Sequence, residues 1–280
     1  MINFNGTLLL EEKQIELHNR GLNYGDAVFE TMKVSGGKIF FWEDHYFRLM
    51  ASMRILRMEI PMNFTMEFLQ NEIFKTLESE KSDTKTFRVK MLVWRKTGGK
   101  YRPATNNVEY AISFETLKIP FYTLEENEYE VELFKDHYIN SGLLSTIKTT
   151  GKIVNILGSI YASENEYDNC LLINEDKQIV EALNGNIFLV KENQIKTPPL
   201  SDGCLNGIMR KQIISLLKNF SEYTFEEASI SPFELQKADE IFITNVIVGI
   251  RPITKFRKKE FSTTVAKNLI SRLNAKARLD

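Results

Sequence analysis

Apolar residues recur at helical spacing over two stretches in the first third of the chain. Across residues 43–60 the stripe is Phe47, Met50, Met53, Leu56 and Ile60, and Pro61 closes it. Across residues 64–77 it is Phe68, Leu69, Ile73 and Leu77. Alternating or β-branched runs at residues 6–10 and 27–34 predict strands, with turns at Asn5-Gly6 and Gly36-Gly37. Strands are also expected over residues 86–94 and 109–114, flanking a polar segment, residues 95–107, that holds Gly98, Gly99 and Pro103. Further along, residues 152–165, 207–217 and 263–273 read as helices. Residues 129–134, 169–173, 178–180, 186–190 and 240–244 read as strands. Strands and helices interleave without a steady βαβ rhythm, which predicts an α+β fold. Residues 117–123, with Pro120 inside, read as a linker. The run Ile39-Phe40-Phe41-Trp42 is either a buried strand or a surface for a partner.

Composition narrows the function classes. The chain has 280 residues, 43% hydrophobic and 26% charged, which suits a globular protein with a sizeable core. Its net charge of −1 does not indicate a nucleic-acid-binding surface. Two cysteines, Cys170 and Cys204, are too few for a disulfide framework. The three histidines, His18, His45 and His137, form no ligand-type pair, so no metal is expected. No apolar run reaches the ~20 residues that span a bilayer, and no signal peptide is legible, so a cytoplasmic, non-membrane protein is expected.

The usual hydrolase, nucleotide-binding and dehydrogenase motifs are absent. Six other segments stand out. They are Arg20-Gly-Leu-Asn-Tyr-Gly-Asp-Ala-Val-Phe-Glu-Thr31, His45-Tyr-Phe-Arg48-Leu, Ile147-Lys148-Thr-Thr-Gly151, Val180-Glu181-Ala-Leu-Asn-Gly-Asn186-Ile-Phe188, Asn206-Gly-Ile-Met-Arg210 and Ile243-Thr-Asn245-Val-Ile-Val-Gly249-Ile-Arg-Pro252. In this order they resemble the class IV aminotransferases, a family that includes branched-chain and D-amino-acid transaminases and 4-amino-4-deoxychorismate lyase. The resemblance runs from Asn5 to about Pro252. It implies a two-domain fold-type-IV enzyme dependent on pyridoxal phosphate. A small N-terminal domain would occupy residues 1–118. A larger domain, residues 119–280, would carry the cofactor-bearing lysine. A homodimer and a small-molecule substrate are also implied.

The cofactor requires a lysine amine to hold its aldehyde. Lys148 lies among small residues (Ser145, Thr146, Thr149, Gly151) that leave room for a ring, with Lys152 as the nearest rival. The family's lysine falls at Lys148. A carboxylate must keep the ring nitrogen protonated. Glu181 matches it, with Asn186 close behind; read without the motif, Glu181 is a turn residue. The resemblance points Arg48 at the phosphate. Asn206 reads as an N-cap, placing Gly207, Ile208 and Met209 in a first helical turn suited to an anion. Asn245 and Val246 match the family's second phosphate-side contact. Tyr24, Phe29 and Arg88 fall where relatives place substrate-side residues, although a strand's core packing would equally explain Phe29.

Lyase and transaminase share the removal of the α-proton and part after it. Residues 95–103 and Met209 resemble the lyase, which serves folate biosynthesis. Ala182, Ala27 and Gly151 depart from the family pattern. The lyase is the favoured expectation and a branched-chain or D-amino-acid transaminase the alternative.

Overall fold

A computed structural model describes residues 1–10, 16–80, 85–125 and 127–279. The chain divides into two compact units. The first comprises residues 1–121 together with 147–151, and the second comprises residues 122–146 and 152–280.

The first unit contains β1 (Ile2–Phe4), β2 (Thr7–Leu9), α1 (Arg20–Tyr24), β3 (Ala27–Ser35), β4 (Lys38–Ile39), α2 (Trp42–Ile55), α3 (Met66–Leu77), β5 (Thr86–Arg95) and β6 (Val108–Thr116). Its six strands pair antiparallel in the order β2-β1-β6-β5-β3-β4. The β3–β4 turn uses Gly36 and Gly37 at φ 59° and 76°, values that glycine adopts without steric cost. Alternation along β3 sends Val28, Met32 and Val34 into the core against α2 and α3, where Leu49, Met53, Leu69 and Ile73 meet them. Phe29, Thr31 and Lys33 take the opposite face. The run 39–42 is buried at Ile39, Phe40 and Phe41, in keeping with its buried reading.

The α2 helix ends five residues before the boundary expected at Ile60. Arg57 takes φ 54°, outside helical space. Arg95 then donates to the freed carbonyls of Leu56 (2.6 Å) and Arg57 (3.1 Å). The apolar stripe continues to Ile60 because that side chain still packs on the core. The residue that takes up these carbonyls lies 38 and 39 positions further along the chain. At the start of α3, Thr65 supplies an N-cap by accepting from the Phe68 N–H at 3.1 Å.

The second unit contains β7 (Glu130–Ile139), α4 (Ile153–Glu164), β8 (Asn169–Asn174), β9 (Ile179–Ala182), β10 (Asn186–Lys191), β11 (Gln194–Thr197), α5 (Ile208–Leu217), β12 (Thr224–Glu227), α6 (Pro232–Lys237), β13 (Glu240–Asn245), β14 (Gly249–Ile253), β15 (Lys255–Phe256), β16 (Lys259–Glu260) and α7 (Thr264–Leu279). They form two five-stranded sheets, β12-β11-β10-β13-β14 and β16-β15-β7-β8-β9. Between the sheets lies a core that includes Leu171, Ile173, Ile187, Leu189, Ile241 and Ile243. The alternate residues of β8, Cys170 and Leu172, face α4. β8 is therefore covered on both faces, which is why Asn169–Asn174 reads as a continuous rather than an alternating apolar run. The α5 and α7 helices pack on the outer side of β13 and β14. No helix among the described residues is long and apolar enough to cross a membrane.

Arg95→Ala should cost about 3–5 kcal/mol of stability, the usual penalty for breaking a buried charged pair. Arg95 is 6% exposed and binds Asp26 (2.9 Å) as well as the two helix-end carbonyls. Urea unfolding of wild type and variant measures the difference. A loss below about 1 kcal/mol would mean that water replaces the guanidinium at these carbonyls.

Candidate active site

In the first unit, residues 147–151 run as a short edge segment beside β3. The Phe29 N–H donates to the Lys148 carbonyl (2.9 Å), the Thr150 N–H donates to the Ala27 carbonyl (3.2 Å), and Val28 bridges Thr149. This pairing sets Lys148 next to Phe29 on the sheet face opposite the helices. The Lys148 ammonium stands 4.6 Å from the Phe29 ring centroid. Lys90, two residues from Phe29's cross-strand partner Leu92, brings a second ammonium to 5.1 Å from the same ring. Cation–π attraction favours both placements. Lys148 and Phe29 are thus brought together, and Lys90 joins them without having been singled out by any motif.

Arg88 is not part of this group. It lies opposite Lys33, four residues along β3 from Phe29, or roughly 13 Å at strand rise. Its guanidinium binds Glu115 at 2.9 Å. Tyr24, at the end of α1, is exposed and stacks near Arg20 (4.9 Å) and Tyr101 (5.8 Å). Lys33 is buried and donates to the Phe121 carbonyl, and burial pushes its ammonium down to about 8.

Arg48 emerges from α2 beside Glu30 of β3. Its Nε donates to Glu30 Oε1 (2.8 Å) and its Nη2 to Oε2 (2.6 Å). His45 Nδ1 lies 2.6 Å from the same Oε2. Burial pushes the Glu30 carboxyl up, but Arg48, through charge and hydrogen bonds, and His45 more than offset this and hold it at about 2. His45 is completely buried, and desolvation holds its imidazole below the ordinary range. The ring is therefore neutral at pH 7 and donates a hydrogen bond from Nδ1. The sequence reading gives neither Glu30 nor His45 a role, although it holds a signal for one. Positions 28, 30, 32 and 34 share one face of β3, and a carboxylate among Val28, Met32 and Val34 demands a partner.

In the second unit, Glu181 and Asn186 grip one peptide segment from both sides. Glu181, 8% exposed on β9, accepts from the Leu205 N–H at 2.9 Å. Asn186, at the start of β10, donates to the Leu205 carbonyl at 2.8 Å. Three residues later α5 begins. Its N-cap is Gly207, at φ −72° and ψ 136°, and not Asn206 as the sequence suggests. Position 207 has to be a glycine, because Asn186 lies so close that a Cβ there would sit 1.9 Å from Asn186 Oδ1. No side chain caps this helix, so no capping group occupies the amides of the turn that opens with Ile208 and Met209. Both of those side chains are buried.

Asn186 also pairs in register with Thr244 on β13. The Thr244 hydroxyl is buried and lacks a hydrogen-bond partner among the described residues. The Asn245 side chain is committed to its own turn: Oδ1 accepts from Ile247 (3.1 Å) and Val248 (3.0 Å), and Nδ2 donates to Asn184 (3.2 Å). The Val246 carbonyl accepts from the Tyr122 hydroxyl at 2.9 Å. Uncapped amides and an orphan hydroxyl suit an anion, and a buried carboxylate suits a protonated nitrogen. An amine over an aromatic ring suits covalent and proton-transfer work. Among the described residues, no group of His, Cys, Asp or Glu could hold a metal ion.

A family model described as amino-transferase class IV matches residues 27–256. An aminodeoxychorismate lyase of Vibrio harveyi is 24% identical over 88% of this chain and 88% of its own length. A D-alanine aminotransferase of Listeria monocytogenes serotype 1/2a (strain 10403S) is 26% identical over 87% of this chain and 83% of its own. The crystal structure of a branched-chain amino acid aminotransferase from Thermobaculum terrenum, in its PLP holo form, superposes with a TM-score of 0.85. It is 20% identical, covering 100% of this chain and 94% of that one. The α+β fold expected from the sequence is therefore shared with fold-type-IV aminotransferases.

Glu30→Gln should lower stability at pH 7 by about 3 kcal/mol, because Arg48 and His45 hold the carboxyl at about 2 in the folded protein. Because the folded-state value lies below the unfolded 4.5, the stabilisation is full above that pH and is lost as pH falls toward 2. Unfolding midpoints for wild type and variant should therefore converge over this window. A gap that stays constant across it would contradict the assignment.

Proposed function

The chain belongs to the class IV aminotransferases, and from that premise we propose that it binds pyridoxal 5′-phosphate at Lys148 and removes the α-proton of an amine-bearing carboxylic acid. The observation that carries this reading is the Lys148 ammonium held against Phe29 by backbone pairing to β3. Strand pairing fixes where the amine starts, so little ordering remains for the reaction to require. When bound, the cofactor supplies a cationic ring that delocalises the electron pair left at the α-carbon.

The remaining roles rest on donor chemistry. Arg48, the first-turn amides at Ile208 and Met209, and the orphan Thr244 hydroxyl suit the phosphate, and Gly207, whose own N–H donates to the Leu205 carbonyl, lets the backbone come close. Asn245 and Val246 serve that end through backbone, since the Asn245 side chain is spent on its turn. Glu181 keeps the ring nitrogen protonated, while Asn186 holds the Leu205–Gly207 stretch in place. With the cofactor bound, the Lys148 amine would serve as the base that takes the proton from the α-carbon. Phe29, Tyr24 and Arg88 are the proposed substrate-side residues. Phe29 has direct support from its place beside Lys148.

For the substrate, we favour 4-amino-4-deoxychorismate, with elimination of pyruvate to leave 4-aminobenzoate. Met209 and the segment 95–103 resemble the lyase, and the ammonium groups of Lys90 and Lys148 stand beside the Phe29 ring. Two cations at an aromatic ring suit a cyclic substrate with two carboxylates better than a branched aliphatic side chain. The second reading is a transaminase, favoured by the similarity to a D-alanine aminotransferase. Its dicarboxylate co-substrates would fit the same charges.

Two measurements test the proposal. Purified protein should release pyruvate from 4-amino-4-deoxychorismate without any 2-oxo acid. Lys148→Ala should lower that rate at least about a hundredfold and abolish borohydride trapping of the cofactor. Amino transfer from L- or D-amino acids to 2-oxoglutarate, with no pyruvate released from 4-amino-4-deoxychorismate, would establish the transaminase instead. Trapping that mapped to Lys152 would overturn the lysine assignment. The same resemblance supports a cytoplasmic homodimer. A monomer mass in sedimentation equilibrium at micromolar concentration, with full activity, would reject the dimer.

A further inference from the structure

We propose that Glu30 is a positioning residue for the cofactor phosphate, holding the Arg48 guanidinium in the plane from which it meets that anion. The inference rests on the reading of Arg48 as a phosphate ligand. Glu30 takes one whole edge of the guanidinium, Nε at 2.8 Å and Nη2 at 2.6 Å. A bidentate carboxylate fixes both the plane and the rotation of the group it binds, and it turns the Nη1 edge away from itself. The carboxylate is fixed in turn. Its Oε2 also receives His45 Nδ1 at 2.6 Å, and its backbone belongs to β3, which is paired with β5 over nine positions from Ala27 to Ser35. His45 is completely buried and sits three residues before Arg48 on α2. Donor, acceptor and support therefore come from rigid elements and not from a loop.

Charge and position oppose each other here, which makes the role testable by sign. As a charge, Glu30 offsets Arg48 and weakens its pull on an anion. As a clamp, it removes the rotamer freedom that a long arginine would otherwise lose on binding. Replacing the carboxylate by an amide strengthens anion binding if charge dominates and weakens it if positioning dominates. The amide also turns a donor toward the Nη2 donor, which displaces the guanidinium. The geometry favours positioning.

The test uses full-length apo-protein titrated with pyridoxal 5′-phosphate and, separately, with pyridoxal, which lacks the phosphate. Glu30→Gln should weaken binding of the phosphorylated form by about tenfold while leaving pyridoxal within about twofold. Glu30→Asp keeps the charge but draws it back by one methylene, so it should fall between wild type and Gln. This milder change also covers the case in which the Gln variant does not fold, with near-ultraviolet circular dichroism as the check. Equal or tighter binding of the phosphorylated form by Glu30→Gln would overturn the proposal. So would an equal loss for both forms, which is the mark of general loosening. Arg48→Ala separates the two layers. If it weakens phosphate-dependent binding while Glu30→Gln does not, only the positioning role falls. If Arg48→Ala changes nothing, the reading of Arg48 falls and the role of Glu30 falls with it.

Discussion

The candidate chemistry of the first unit depends on β3. Consecutive residues of a strand point to opposite faces, and β3 uses this at Phe29 and Glu30. Phe29 meets the Lys148 ammonium on one face. Glu30 binds Arg48 and His45 on the other. Pairing to β5 through nine consecutive positions gives the strand little freedom to bend or slip. The relative placement of the two anchors is therefore set by backbone geometry, before any side chain adjusts.

Two carboxylates of this unit are each met by a pair of side chains. Glu30 is answered by Arg48 and His45, and Asp26 by Arg20 and Arg95, each at 2.9 Å. Arg95 goes on to bind the end of α2, and Arg20 reaches the carbonyls of Gly98 and Lys100 in the glycine-containing segment. An uncompensated charge in such surroundings would cost several kcal/mol, so these sets constrain the chain strongly. The second unit works differently. Glu181 and Asn186 hold the backbone of Leu205, and a helix then starts without a capping side chain. The amides of its first turn are oriented by the helix they belong to, an arrangement that suits an anion.

Much of the secondary structure is legible in the sequence because periodicity reports burial directly. β3, β5, β8, β10, β13 and the helices α3, α4, α5 and α7 each correspond to an apolar stripe or run. The short strands β1, β11 and β12 and the helix α6 carry too few residues for a period to emerge. The end of α2 is hidden for another reason. Ile60 is apolar and packed whether or not it is helical, so its pattern cannot mark where the helix stops. The candidate site divides in the same way. Lysine, carboxylate and arginine match motifs, whereas Lys90 does not, because its importance comes from being across the sheet from Thr31 and diagonal to Phe29.

The alternation of β3, the apolar faces of the main helices and six ordered motifs sufficient to identify the class IV aminotransferases are all written in the linear order of residues. These properties reside in a residue and its near neighbours, so a linear reading reaches them. Three other features arise only once the chain has folded: Arg48 lies in a clamp made by Glu30, Arg95 binds the carbonyls at the end of α2, and Asn186 packs so close to the cap of α5 that only glycine fits at Gly207. Each of these is a hydrogen bond or a close contact between residues from 18 to 39 positions apart. Such contacts depend on which strands pair and in what register, and no local pattern of residues records that choice.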